Sequence, residues 1–70
     1  MLKLDEQQLR LLNIAYDEHK KAEYEGCFII PQFVKRKTVT ELVRLKLLHM
    51  SPNGYTIRIL PKGVEYLHQI

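Results

Sequence analysis

The chain predicts a small α+β domain of three to four helices and a two- or three-stranded antiparallel sheet. Three observations carry that reading. Apolar residues recur at helical spacing from Leu9 to Tyr16 and again from Val39 to Leu45. Tyr55, Ile57 and Ile59 alternate with Thr56 and Arg58, the period of a strand with one buried face. Between that strand and Leu47-Leu48-His49-Met50 stands Ser51-Pro52-Asn53-Gly54, which has turn residues in the order a hairpin needs.

Each element has its own signal. Asp5 and Gln8 are spaced as a variant capping box, with Leu4 and Leu9 placed to pack across the helix start. Asp5 and Glu6 suit the positive end of the helix dipole, Lys20 and Lys21 suit the last turn, and Gly26 follows as a stop, so a first helix is expected over about 5–23. Cys27-Phe28-Ile29-Ile30, bounded by Gly26 and Pro31, reads as a brief strand. Pro31 through Lys37 has room for a short helix with Pro31 in its first position and with Phe33 and Val34 pointing inward. Thr38 is placed to cap a strong helix over about 37–46. Leu47 to Leu60 form the hairpin. Pro61-Lys62-Gly63 is expected to break the strand before a closing helix that docks through Val64, Tyr66, Leu67 and Ile70.

Seventy residues make a single domain, 1–70, which buries roughly 60% of its unfolded surface. A composition of 46% hydrophobic and 27% charged residues is globular. One cysteine, Cys27, excludes an internal disulfide framework and a multi-cysteine zinc site. A small domain without such staples points to a reducing compartment, so a cytoplasmic location is expected. No apolar run approaches the ~18 residues of a membrane span, and MLKLDEQQ has no signal-peptide core, so no membrane partner is expected.

The elements run helix, short strand, short helix, helix, hairpin, helix. In that order the chain resembles a winged helix-turn-helix domain, most strongly from residue 38 to 67. Thr38-Val39-Thr40-Glu41-Leu42-Val43-Arg44-Leu45-Lys46-Leu47-Leu48 resembles a recognition helix running into the first wing strand. Tyr55 through Leu67 resembles the second wing strand followed by the Pro-Lys-Gly turn and closing helix common in that superfamily. Two departures stand out: Pro31–Lys37 is short for the family's second helix, and Lys46 stands where many members have glycine. The resemblance implies double-stranded DNA as partner, the helix over 37–46 in the major groove and the hairpin 47–60 as wing.

Charge fits that implication. Residues 1–23 hold four basic and five acidic side chains, whereas 24–70 hold seven basic against three acidic. Val39, Leu42 and Val43 take the core face of their helix, leaving Thr40, Glu41 and Arg44 on the other. The candidate DNA-binding residues are Lys35, Arg36, Lys37, Thr38, Thr40 and Arg44, joined from the hairpin by Arg58 and Lys62.

The remaining chemistry is sparse. His19, His49 and His68 have no ligand spacing, Cys27 reads as a buried structural thiol, and Asp5-Glu6 and Asp17-Glu18 suit a helix start and a solvated face. No nucleophile–base set or glycine-rich phosphate loop can be assembled, so neither catalysis nor a cofactor or metal is expected. Two functions stand at this stage. One is a small sequence-specific or accessory DNA-binding protein, such as a transcriptional regulator. The other is a protein–protein interaction module or inhibitor without DNA binding, toward which exposed members of the set Tyr16, Tyr24, Phe28, Phe33, Tyr55 and Tyr66 would point. A homodimer or protein partner is open to either, with Leu2, Leu11 and Ile14 as a candidate apolar stripe.

Overall fold

A computed structural model describes residues 3–21 and 26–69. Along them run α1 (Glu6–Lys21), β1 (Phe28–Ile29), α2 (Arg36–Arg44), β2 (Leu48–Met50), β3 (Thr56–Ile59) and α3 (Pro61–Gln69). The capping box forms reciprocally: Gln8 N–H donates to Asp5 Oδ1 at 2.8 Å, and Asp5 N–H donates to Gln8 Oε1 at 2.9 Å. The expected end of the first helix at Ala22 and Glu23 lies outside the described residues, as do Leu2, Tyr24 and Ile70.

The three strands make one antiparallel sheet in the order β1-β3-β2. Its register pairs Phe28 with Ile57, Ile29 with Thr56, Leu48 with Ile59, His49 with Arg58 and Met50 with Ile57. Because side chains alternate, Phe28, Ile57, Ile59, Leu48 and Met50 share the core face while Ile29, Thr56, His49 and Arg58 share the outer one. The helix α1 packs on β3 and α2, and α2 also packs on β2. Leu11, Leu12, Ala15, Val39, Leu42, Leu47, Leu48, Ile57 and Ile59 form the buried core. Each of its large aliphatic side chains contributes about 1.5–3 kcal/mol of transfer free energy.

Two tight places join helix to sheet. After α2, Lys46 N–H donates to Val43 O at 3.0 Å and Leu47 N–H to Leu42 O at 3.1 Å, the paired bonds of a Schellman ending. The turn needs a left-handed residue, and Lys46 supplies it at φ 67°. Lys46 therefore occupies the conformation that glycine adopts without cost, which is why its place in the sequence is one where glycine is expected. At the start of α3, Gly63 comes so close to the hairpin base that a Cβ there would lie 2.6 Å from Leu47 O and 2.7 Å from Ile59 Cγ1.

Several expectations are corrected. Pro31–Lys37 forms no helix: Val34 N–H donates to Pro31 O at 3.1 Å in a single turn, leaving three helices among the described residues. Phe33 accordingly faces outward, with the Arg10 guanidinium 4.6 Å above its ring. Thr38 is not a cap. The second helix begins at Arg36 with Lys35 in the capping place and ends at Arg44, short of residue 46. Pro61-Lys62-Gly63 belongs to α3, because proline fits a first helical turn and Leu60 O accepts from both Gly63 and Val64 N–H. Tyr55 precedes β3 and is exposed, Cys27 is half-buried, and Leu11 is fully buried and so unavailable for a dimer stripe.

Candidate nucleic-acid interface

Lys35, Arg36 and Lys37 are exposed at the entrance to α2. Lys35 is extended, at φ −74° and ψ 142°, and no side chain caps the helix there. Thr38 N–H donates to Lys35 O at 3.0 Å, so the amides of Arg36 and Lys37 are the first-turn donors presented together with three cationic side chains, an arrangement that favours an anion by hydrogen bonding and by the helix dipole.

Toward this entrance comes the hairpin turn. Gly54 N–H donates to Ser51 O and Ser51 N–H to Thr56 O, both at 2.9 Å, with Gly54 at φ 77°. Side chains stiffen it further. Asn53 Oδ1 accepts from Tyr55 N–H at 2.9 Å, and Thr56 Oγ1 and Ser51 Oγ share a hydrogen bond of 2.8 Å. Arg36 then bridges the two elements, its Nη1 donating to Gly54 O at 3.2 Å.

Along α2, Lys37, Thr40, Glu41 and Arg44 lie on the side opposite Val39 and Leu42, as expected. Thr40 Oγ1 donates back to Arg36 O at 3.0 Å. Arg44 pairs with Glu41 at 3.1 Å, an exposed contact worth a few tenths of a kcal/mol that a phosphate can displace. Thr38 is half-buried. It lines a polar cleft of about 470 Å³ between the starts of α1 and α2, with Asp5, Gln7, Gln8, Lys35, Lys37 and Glu41. The carboxylates of Asp5 and Glu41 moderate the positive potential of that cleft.

Arg58 and Lys62 do not join this group. Arg58 stands opposite His49 on the outer face of the sheet, four residues beyond Gly54, which is ~13 Å along an extended strand. It borders a groove of about 360 Å³ floored by Ile59, Leu60, Pro61 and Val64, with His19, Glu65 and His68 also in its walls. Lys62 is exposed in the first turn of α3. The eight candidates therefore divide into a cluster at the helix entrance (Lys35, Arg36, Lys37, Thr38), a stripe down α2 (Thr40, Arg44), and two separate residues, Arg58 on the outer face of the sheet and Lys62 in the first turn of α3.

Sequence reasoning missed the exposed apolar surface. Ile29 is 75% exposed, Tyr55 70% and Phe33 52%. Tyr55 carried one signal that placed it outside the strand, its position directly after Gly54. The Arg36–Gly54 bridge carried none, because its partners are eighteen residues apart.

Among the described residues no helix is long and apolar enough to cross a membrane. Nor does any group of three or more His, Cys, Asp or Glu there have the geometry to hold a metal ion. A scan against protein-family models, a search of curated proteins and a search of solved structures return no match to this chain.

Proposed function

We propose that this protein binds double-stranded DNA as a small winged helix, with α2 as recognition helix and the β2–β3 hairpin as wing. Its role would be that of a transcriptional regulator or an accessory factor. The observation that supports this best is the meeting of the basic, uncapped entrance of α2 with the hairpin turn, through Arg36 and Gly54. The strand order β1-β3-β2, with α2 running directly into the hairpin, is compatible with that architecture. In this reading Lys35, Lys37 and the backbone amides of Arg36 and Lys37 hold phosphates. Thr40 and Arg44 reach base edges, and Arg44 exchanges Glu41 for a guanine or a phosphate. Arg58 and Lys62 would touch backbone farther along the duplex.

The longest dimension of the domain is 31 Å. One copy thus spans less than a helical turn of DNA, ~34–36 Å, and specific binding calls for a second copy or a partner on an adjacent half-site.

Titration of a labelled duplex at several salt concentrations tests the reading. Four or five phosphate contacts give a log–log slope of about −4. No binding at about 50 mM salt overturns it. The protein–protein reading would then take its place, and it has its own support in the exposure of Ile29, Phe33 and Tyr55.

A further inference from the structure

Arg36 stands in the middle of the three consecutive cations, and from sequence it is one phosphate ligand among three. Its geometry differs from that of its neighbours. The Nη1 group donates to Gly54 O at 3.2 Å. On the same fork, Nη2 lies where it would be 3.1 Å from a Cβ at position 54, so the guanidinium rests against the bare Cα of the glycine. That carbonyl belongs to the hairpin turn, outside the paired strands. The planar fork spans carbonyl and Cα together, which a lysine ammonium, a compact point charge, cannot do.

We infer that Arg36 is a positioning residue: a strut that fixes the wing turn onto α2, so that helix and wing meet a duplex as one rigid surface. The turn is already stiff within itself through Ser51, Asn53 and Thr56. What those bonds leave free is the pivot of the whole turn relative to α2, and Arg36 crosses that gap. A preorganised pair of elements binds more tightly because less ordering is needed on association. The DNA half of this inference rests on the function proposed above, while the strut belongs to the free protein.

Two substitutions separate strut from ligand. Arg36→Lys keeps the charge and removes the fork, whereas Arg36→Gln removes the charge as well. In the free protein, amide hydrogen exchange at Gly54 and Tyr55 should quicken several-fold in both variants, with Leu42 in α2 unchanged as the control for folding. In duplex titrations both variants should weaken binding by the same factor, about five- to tenfold, the worth of one net hydrogen bond, with the salt slope retained. If Arg36→Lys binds like the parent and Arg36→Gln lowers the slope by about one, Arg36 is a phosphate ligand and the inference fails. Unchanged exchange at Gly54 and Tyr55 overturns the strut itself. A parent protein that binds no duplex overturns the proposed function and the DNA half of the inference, while the exchange result still decides the strut.

Discussion

At the turn of the β2–β3 hairpin, Ser51, Asn53, Thr56 and Arg36 hold the chain with exposed or partly buried polar contacts. At its base, Leu47, Ile59 and Gly63 meet at distances that leave no room for a methyl group. The first kind of hold is worth about 1 kcal/mol per bond and can be exchanged for water. The second resists, because overpacking a tight site forces neighbouring backbone to move. The hairpin is therefore anchored sterically at its base and by individually weaker polar bonds at its turn, and the turn is the end proposed to face DNA.

Gly63→Ala attacks the base and should have the largest effect. With a carbonyl oxygen and a buried isoleucine in its way, the added methyl should cost about 3 kcal/mol. In a domain this size that lowers the thermal midpoint by about 15 °C. A shift of only a degree or two would mean that α3 slides to accommodate it, and the contrast between the two ends would collapse.

Asn53→Ala probes the turn and should cost about 1 kcal/mol in urea unfolding, from the lost bond to Tyr55 N–H. A loss as large as that of Gly63→Ala would show the turn to be as essential as the base.

The conformation of Lys46 gives a prediction of opposite sign. Holding a side chain at φ 67° costs about 1–2 kcal/mol. Glycine removes that cost but adds unfolded-state entropy of about 0.5–1 kcal/mol. Lys46→Gly should therefore raise stability by roughly 0.5–1 kcal/mol, readable as a higher urea midpoint at unchanged m-value. A decrease would show that the left-handed turn is held by something other than its backbone bonds.

Glu41→Gln should have the smallest effect on folding, below about 0.5 kcal/mol, since it removes an exposed ion pair. It should nonetheless tighten duplex binding roughly two- to threefold by clearing a carboxylate from the α2 stripe and freeing Arg44. Unaltered affinity would remove Arg44 from the interface.

Local signals made much of this fold legible. The Asp5–Gln8 box, the Ser51–Gly54 turn and the buried faces of α1, α2 and β3 each depend on residues within a few positions of one another. The failures came at short turns with two outcomes open to them, and where distant atoms decide. Phe33 turns outward because Pro31–Val34 closes as one turn and Arg10 covers the ring. The strand does end before Pro61 as expected, but the closing helix begins at Pro61 itself, because Leu60 O accepts the first helical bonds. At the candidate interface the residue types and the α2 face were readable, but not the separation of Arg58 and Lys62 from the helix entrance. For Arg58 that separation follows from the strand register, and for Lys62 from its place in α3.

The helix α1 and the residues leading into it are also stitched to α3. Leu4 N–H donates to the Tyr66 hydroxyl at 3.3 Å, and the Tyr16 hydroxyl and His68 Nε2 share a hydrogen bond of 2.9 Å. During synthesis α1 emerges before its sheet partner, so Leu11, Leu12 and Ala15 meet β3 only after the hairpin has been made. The segment from α2 through the hairpin can pair with its own neighbours, while α1 has α2 alone to cover its apolar side until β3 is made. Folding on the ribosome should thus complete the α2–hairpin unit before α1 settles on β3, and close where α1 and α3 meet. Protease protection of stalled nascent chains can check that order, and early protection of α1 would reverse it.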